Sequence, residues 1–169
     1  MTRDLIIFAS LFVGLILVQI LIFNHISLFN VAFPIIFIYF IIRLPISLNK
    51  SYLFTLSFFL GFIVDVFSDT LGVNSLACTL LAAVKRPVFY AYVDKDDKTK
   101  TITPTMSNLG ILPYSKYLIS MVAIYCLLAF TIEYFSFADV KELVILTASS
   151  CLFTFLTLLA IDCLIIYKS

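Results

Sequence analysis

Long apolar runs, each near the length of a bilayer crossing and each closed by charged or turn-forming residues, follow one another along this sequence. A helix rises about 1.5 Å per residue, so about 20 apolar residues cross a hydrocarbon layer about 30 Å thick. On that measure the 169 residues hold about six crossings and little else. The composition agrees, with 63% hydrophobic and only 12% charged residues and a mean hydropathy of +1.14. A soluble domain carries about 25% charge, and half of that cannot clothe a surface in water. A soluble enzyme, a nucleic-acid binder and a disordered tail are therefore excluded. The expected fold class is an all-α integral membrane protein, a single membrane domain over residues 1–169 with about six transmembrane helices.

The spacing predicts helices over about 5–23, 29–44, 51–67, 72–86, 114–134 and 143–167, with a polar loop over 94–113. The first run, LIIFASLFVGLILVQILIF, is followed by Asn24-His25 rather than a small-x-small cleavage site, so it reads as a retained helix, not a signal peptide. The second contains Pro34, tolerated in a membrane helix when neighbouring groups satisfy the freed carbonyl. The fourth run, GVNSLACTLLAAV, is short, and Lys85-Arg86-Pro87 is expected to close it, with the charged heads snorkelling to the interface. The VFYAYV stretch beyond it is assigned no element. The charge run DKDDKTK at 94–100 has three acids and three bases, so the solvated loop is nearly neutral.

Basic residues give the crossings a direction, because Lys and Arg collect in cytoplasmic loops. Alternating sides through six helices puts Arg3, Arg43, Lys50, Lys85, Arg86, Lys95, Lys98, Lys100, Lys116 and Lys168 on one side and only Lys141 on the other, which accounts for all 11. Both termini are expected in the cytoplasm. With a net charge of +1 there is no basic arm for nucleic acid.

Candidate chemistry is sparse. Cys78, Cys126, Cys151 and Cys163 all lie in apolar runs without a CxxC pair or an accompanying histidine, and read as buried small hydrophobes rather than a metal or disulfide framework. His25 is the single histidine and reads as a polar anchor at a helix end, so no Ser/His/Asp or Cys/His set can be built. No cofactor or metal is expected.

Carboxylates inside membrane helices are more informative, since a centred one costs about 2.5–3.5 kcal/mol on insertion scales. Asp65, Glu133 and Asp162 are the candidates, Glu133 lying close enough to a helix end to reach water. Ser57, Gly61 and Asp65 recur every four residues and stack on one helix face, a small-residue seam for another helix or a partner. Ser10 and Gly14 form a weaker pair of the same kind. Thr147, Ser150, Thr154 and Thr157 form a hydroxyl stripe beside Asp162, although hydroxyls also bond their own i−4 carbonyls. Gly72 is a turn position. Tyr and Phe at helix ends fit interface anchoring.

The segment GFIVDVFSDTLGVNSLACTLLAAVKRPVF, within six short helices of this layout, resembles the rod shape-determining protein MreD family. Its core is similar to G-x-x-x-D, a turn, then Leu-Gly and a small-residue helix, here Gly61, Asp65, Leu71 and Gly72. The resemblance covers the whole chain in size and layout, and its specific part is about residues 58–90. It implies a non-enzymatic inner-membrane subunit of the cell elongation machinery, and a fold similar to the substrate-binding subunits of energy-coupling-factor transporters. It implies an MreC-like bitopic membrane protein as partner, and a link from cytoskeletal filaments to the glycan polymerase/transpeptidase complex that builds the lateral peptidoglycan wall. The family offers no catalytic residues to carry over, and the 94–113 loop is long for it.

Three readings stay open. The first is a membrane scaffold, for which Gly61→Leu is expected to impair partner association and round the cells. The second is a small-molecule (vitamin-like) binding subunit of a transporter, with Asp65, Asp162, Asn74 and the hydroxyl stripe contributing to a pocket. No AxxxA-type coupling face on the first helices supports it. The third is a membrane-embedded enzyme using Asp65 and Asp162, but in this topology they lie near opposite membrane faces and cannot share one proton or one water.

Overall fold

The computed structural model describes residues 11–19, 35–70, 72–93, 103–133 and 140–168, and among these every regular element is a helix. α1 covers residues 11–18, α2 Ile38–Arg43, α3 Lys50–Ser68, α4 Val73–Tyr92, α5 Met106–Leu109, α6 Ile111–Glu133 and α7 Val140–Lys168. The expectations for His25, Pro34, Leu71, the outer parts of the first helix and the 94–102 part of the polar loop lie outside the described residues.

Among the described residues three helices are long and apolar enough to cross a membrane: Lys50–Ser68, Ile111–Glu133 and the Val144–Leu164 part of α7. Their outer faces carry large apolar side chains, such as Phe59, Phe62 and Val66 on α3 and Leu152 and Leu156 on α7. Exposed apolar surface of this extent is stable against acyl chains and not against water.

α3 and α4 form an antiparallel hairpin. α4 packs on α6, and α6 on α7. α2 lies inside this arrangement, touching α4 and α6, and Ile38 through Ile42 are all buried. At the end where α3 begins sit Arg43, Lys50, Lys85, Arg86 and Lys116. At the other end sit Asp65, Asp69, Glu133 and Lys141.

Two expected boundaries are corrected. The spacing predicts the second helix over 29–44, but residues 35–37 are not helical and the helix begins at Ile38. The Ile36 N–H donates to Gln19 Oε1 at 2.8 Å and the Ile35 N–H to Thr154 Oγ1 at 3.1 Å, instead of to backbone carbonyls. Non-helical backbone at membrane depth persists where it is buried in protein and its polar groups are satisfied. The fourth helix is expected to close at 86, but α4 continues through Pro87 to Tyr92. Proline takes one N–H from the helix ladder, and the surrounding packing holds the rest, with Phe89 fully buried.

The helices expected over 51–67, 114–134 and 143–167 correspond to Lys50–Ser68, Ile111–Glu133 and Val140–Lys168. Inside the expected polar loop, α5 forms a single turn ended by Gly110 at φ +83°.

Candidate functional site

Among the described residues the buried polar side chains gather in three places, each joining different helices. The first is the α3–α4 turn. α3 stops at Asp69, which takes the left-handed conformation at φ 55°, and both Asp69 and Thr70 donate their backbone N–H to the Asp65 carbonyl. Aspartate is among the non-glycine residues that tolerate this conformation. α4 then starts at Gly72, φ +78°, which has no side chain to cap the helix.

Asp65 supplies the missing cap from the neighbouring helix. Its Oδ1 accepts the Asn74 N–H at 2.9 Å, the Asn74 Nδ2 at 3.0 Å and the Thr70 hydroxyl at 2.6 Å. Its Oδ2 accepts the Ser75 N–H at 2.8 Å and the Ser75 hydroxyl at 2.5 Å. A carboxylate at a helix N-terminus meets free N–H groups and the positive end of the helix dipole. The network reaches α6 where the Tyr125 hydroxyl donates to Asn74 Oδ1 at 2.5 Å, and Tyr125 in turn meets the Phe37 ring edge-on at 5.7 Å.

Ser57 and Gly61 continue the same face of α3. A Cβ on Gly61 would sit 2.6 Å from both the Asn74 carbonyl carbon and the Ser75 Cα. The seam is thus filled by α4 of the same chain, and its glycine is required by backbone approach. Ser57 is fully buried and its Oγ has no hydrogen-bond partner.

The second place surrounds Asp162 on α7, which is 1% exposed. Tyr39 of α2 donates its hydroxyl to Asp162 Oδ1 at 2.6 Å, and Tyr114 of α6 donates to Oδ2. Arg43 lies over the Tyr39 ring, 5.4 Å from its centroid. One carboxylate therefore joins α2, α6 and α7. Thr154, two turns earlier on α7, is the acceptor that receives the Ile35 N–H, and Thr147, Ser150 and Thr154 are buried with it.

The third place is the C-terminal end of α2. Lys85 does not snorkel to the interface as expected. It is 1% exposed, and its Nζ donates to the carbonyls of Ile41, at 2.8 Å, and Leu44. A helix C-terminus presents unpaired carbonyls and negative partial charge, so an inward-turned ammonium is better satisfied there than in lipid. The Tyr117 hydroxyl adds a long contact to the Ile42 carbonyl at 3.5 Å. Both ends of the six-residue α2 are thus closed by side chains of other helices.

Asp65 and Asp162 share no partner, and their networks lie at opposite ends of the bundle. Among the described residues no three His, Cys, Asp or Glu side chains gather as a metal site. A cavity of about 160 Å³ lies beside the Asp65 network, lined by Gln19, Phe37, Thr70, Asn74, Phe130 and Glu133 among others. The Asn74 and Thr70 side chains on its wall already serve the network.

Sequence reasoning finds Asp65, Asp162, Thr154, Gly61 and Gly72 but misses the roles of Gln19, Tyr39, Tyr114 and Lys85. Gln19 carries a usable signal, since an amide inside an otherwise apolar run needs a partner in lipid. The tyrosines carry none, because a phenol at a helix end reads equally as an interface anchor. Comparison with protein-family models, curated proteins and solved structures finds no match to this chain.

Proposed function

We propose that the chain is a non-enzymatic scaffold subunit of a bacterial inner membrane, similar in role to the MreD family that its 58–90 segment resembles. It would hold an MreC-like bitopic partner and couple cytoskeletal filaments to lateral peptidoglycan synthesis. On this reading the chain crosses the membrane six times with both termini in the cytoplasm, and the end rich in Arg43, Lys50, Lys85, Arg86 and Lys116 faces inward.

One observation carries the reading. The buried charges Asp65, Asp162 and Lys85 are all committed to joining helices of this chain. A catalytic or transporting carboxylate needs a free face for its substrate or water, and Asp65 accepts five hydrogen bonds from protein donors. A braced bundle of this kind offers partners its lipid-facing helix surfaces, where association proceeds by close packing and polar contacts.

The vitamin-binding alternative finds less support. At Asp65 and Asn74, where that alternative places its pocket, the cavity among the described residues is about 160 Å³, against about 300–1,000 Å³ for small-molecule pockets.

The test is purification of the tagged chain from its host in mild detergent, with the co-purifying proteins identified, together with depletion in growing cells. An MreC-like bitopic protein in the eluate and rounding of rod cells are expected. Co-purification of a transporter's ATPase subunits with unchanged cell shape would replace this reading with the alternative. Reporter fusions near Lys95 check the orientation, and an external reporter there overturns it.

A further inference from the structure

At the basic end of the bundle, the Leu44–Asn49 turn between α2 and α3 passes beside α4, and a cavity of about 350 Å³ opens there, lined by Ile46, Ser47, Arg86 and Tyr90. Arg86 donates through Nη2 to the Leu48 carbonyl at 2.6 Å, which holds its guanidinium against the turn. Its Nε is buried and has no hydrogen-bond partner. Among the described residues no carboxylate pairs with Arg86. The buried carboxylate at this end, Asp162, is closed by the two phenols of Tyr39 and Tyr114.

This leaves a cation with an unmet need. A guanidinium held partly out of water, as Arg86 is, is costly unless an anion and hydrogen-bond acceptors meet it. Lys85 meets that need with the α2 carbonyls, whereas Arg86 has one carbonyl and an idle donor. The planar fork of arginine matches the oxygens of a phosphate. The position is also where phosphate is abundant, because the ends of spanning helices lie at the headgroup layer, and basic pockets between helices there take anionic lipid headgroups.

We propose that the Ile46–Ser47–Arg86–Tyr90 cavity is a phospholipid headgroup site, in which Arg86 grips the phosphate and the Ser47 hydroxyl at the rim donates a further hydrogen bond. The acyl chains of the bound lipid lie outside the cavity along the apolar helix faces. Lys50 and Arg43, at the same end, add positive field that favours an anionic lipid over a zwitterionic one. The site is independent of the scaffold reading, since any membrane protein with this pocket would carry it.

The test uses the full chain, purified in detergent and stripped of lipid, and titrated separately with short-chain phosphatidylglycerol, short-chain phosphatidylcholine and inorganic phosphate. Binding is followed by phosphorus NMR and by the mass of the retained lipid. Wild type is expected to hold one phosphatidylglycerol per chain, more tightly than phosphatidylcholine. Arg86→Gln should weaken it about tenfold or more, and Ser47→Ala by a smaller factor. Lys116→Gln, which removes a cation at the same end but outside the cavity, should leave it within about twofold. Arg86→Lys keeps the charge and loses the fork, so an intermediate affinity is expected in a variant that retains a cation against the turn. Saturable binding of inorganic phosphate that displaces the lipid would assign the site to a soluble phosphate and overturn the lipid source. Equal lipid retention by wild type, Ser47→Ala and either Arg86 variant would overturn the site itself.

Discussion

The Asp65 carboxylate accepts the backbone N–H of Ser75 at 2.8 Å, so a side chain of α3 caps a helix whose own N-cap residue, Gly72, has nothing to offer. The same residue's carbonyl ends α3 by accepting the Asp69 and Thr70 N–H groups. One aspartate thus closes one helix and opens the next, and the hairpin angle is tied to its geometry.

Asp65→Ala is therefore expected to destabilise the protein by about 2–3 kcal/mol, more than an ordinary exposed cap, because the buried donors of Ser75 and the part-buried donors of Asn74 lose their acceptor. Asp65→Asn keeps the size but turns an amide N–H toward existing donors, and should cost about half as much. Unfolding in mixed micelles against increasing denaturing detergent, followed by helical circular dichroism, measures both. Wild-type stability in Asp65→Ala would show that the cap contributes nothing.

Lys85 makes a second prediction with an unusual sign for a charge among apolar helices. Replacing a lysine by methionine normally eases insertion. Here Lys85→Met leaves the Ile41 and Leu44 carbonyls without their donor at the end of α2. A loss of about 1–3 kcal/mol is expected despite the gain in hydropathy. Limited proteolysis of the Leu44–Asn49 turn should quicken at the same time, since that turn is held from α4 by Lys85 and Arg86.

These two residues mark what is legible in the sequence. Asp65 can be found because a carboxylate four residues from a small residue, near a helix end, must turn inward. The location of three apolar helices follows from run length alone. Lys85 is misread because sequence gives the cost of placing an ammonium in lipid but not the alternative partner. That partner is the C-terminal end of α2, the Ile41 and Leu44 carbonyls, which only the packing of α2 against α4 brings to the ammonium. The same holds for Gln19 and Thr154, whose acceptor oxygens matter only once Ile35 and Ile36 leave the helix. Long-range hydrogen bonds of this kind link positions more than a hundred residues apart, as between Ile35 and Thr154, and no local pattern encodes them.

The Asp162 cluster predicts coupling between α2 and α6. Tyr39→Phe and Tyr114→Phe each remove one phenol donor and should each cost about 1.5–3 kcal/mol, the range for a hydrogen bond to a charged group. Because both donate to the same carboxylate, the double variant should depart from additivity by about 0.5 kcal/mol or more. With Asp162→Ala as background both tyrosine effects should shrink sharply. Additive effects in every background would mean that the phenols and the carboxylate act separately.

The two glycines of small-residue pairs separate packing from mere sequence pattern. A methyl group on Gly61 would meet the Asn74 and Ser75 backbone at 2.6 Å, and backbone cannot yield as a flexible side chain does, so Gly61→Ala forces α3 from α4. A cost of about 2–3 kcal/mol is expected from overpacking, with loss of the Asp65 cap contributing as the helices part. Gly14, in the Ser10–Gly14 pair, has nothing within 4 Å of where an alanine methyl would sit, and Gly14→Ala should be neutral or stabilise by up to about 1 kcal/mol through helix propensity. Ser57→Ala completes the set on the Gly61 face. Its buried hydroxyl has no partner, so the alanine should be neutral or mildly stabilising. Unfolding midpoints of the three variants measured side by side decide the matter. A tolerated Gly61→Ala, or a damaging Ser57→Ala, would show that the α3–α4 contact is looser, or its serine more engaged, than this geometry has it.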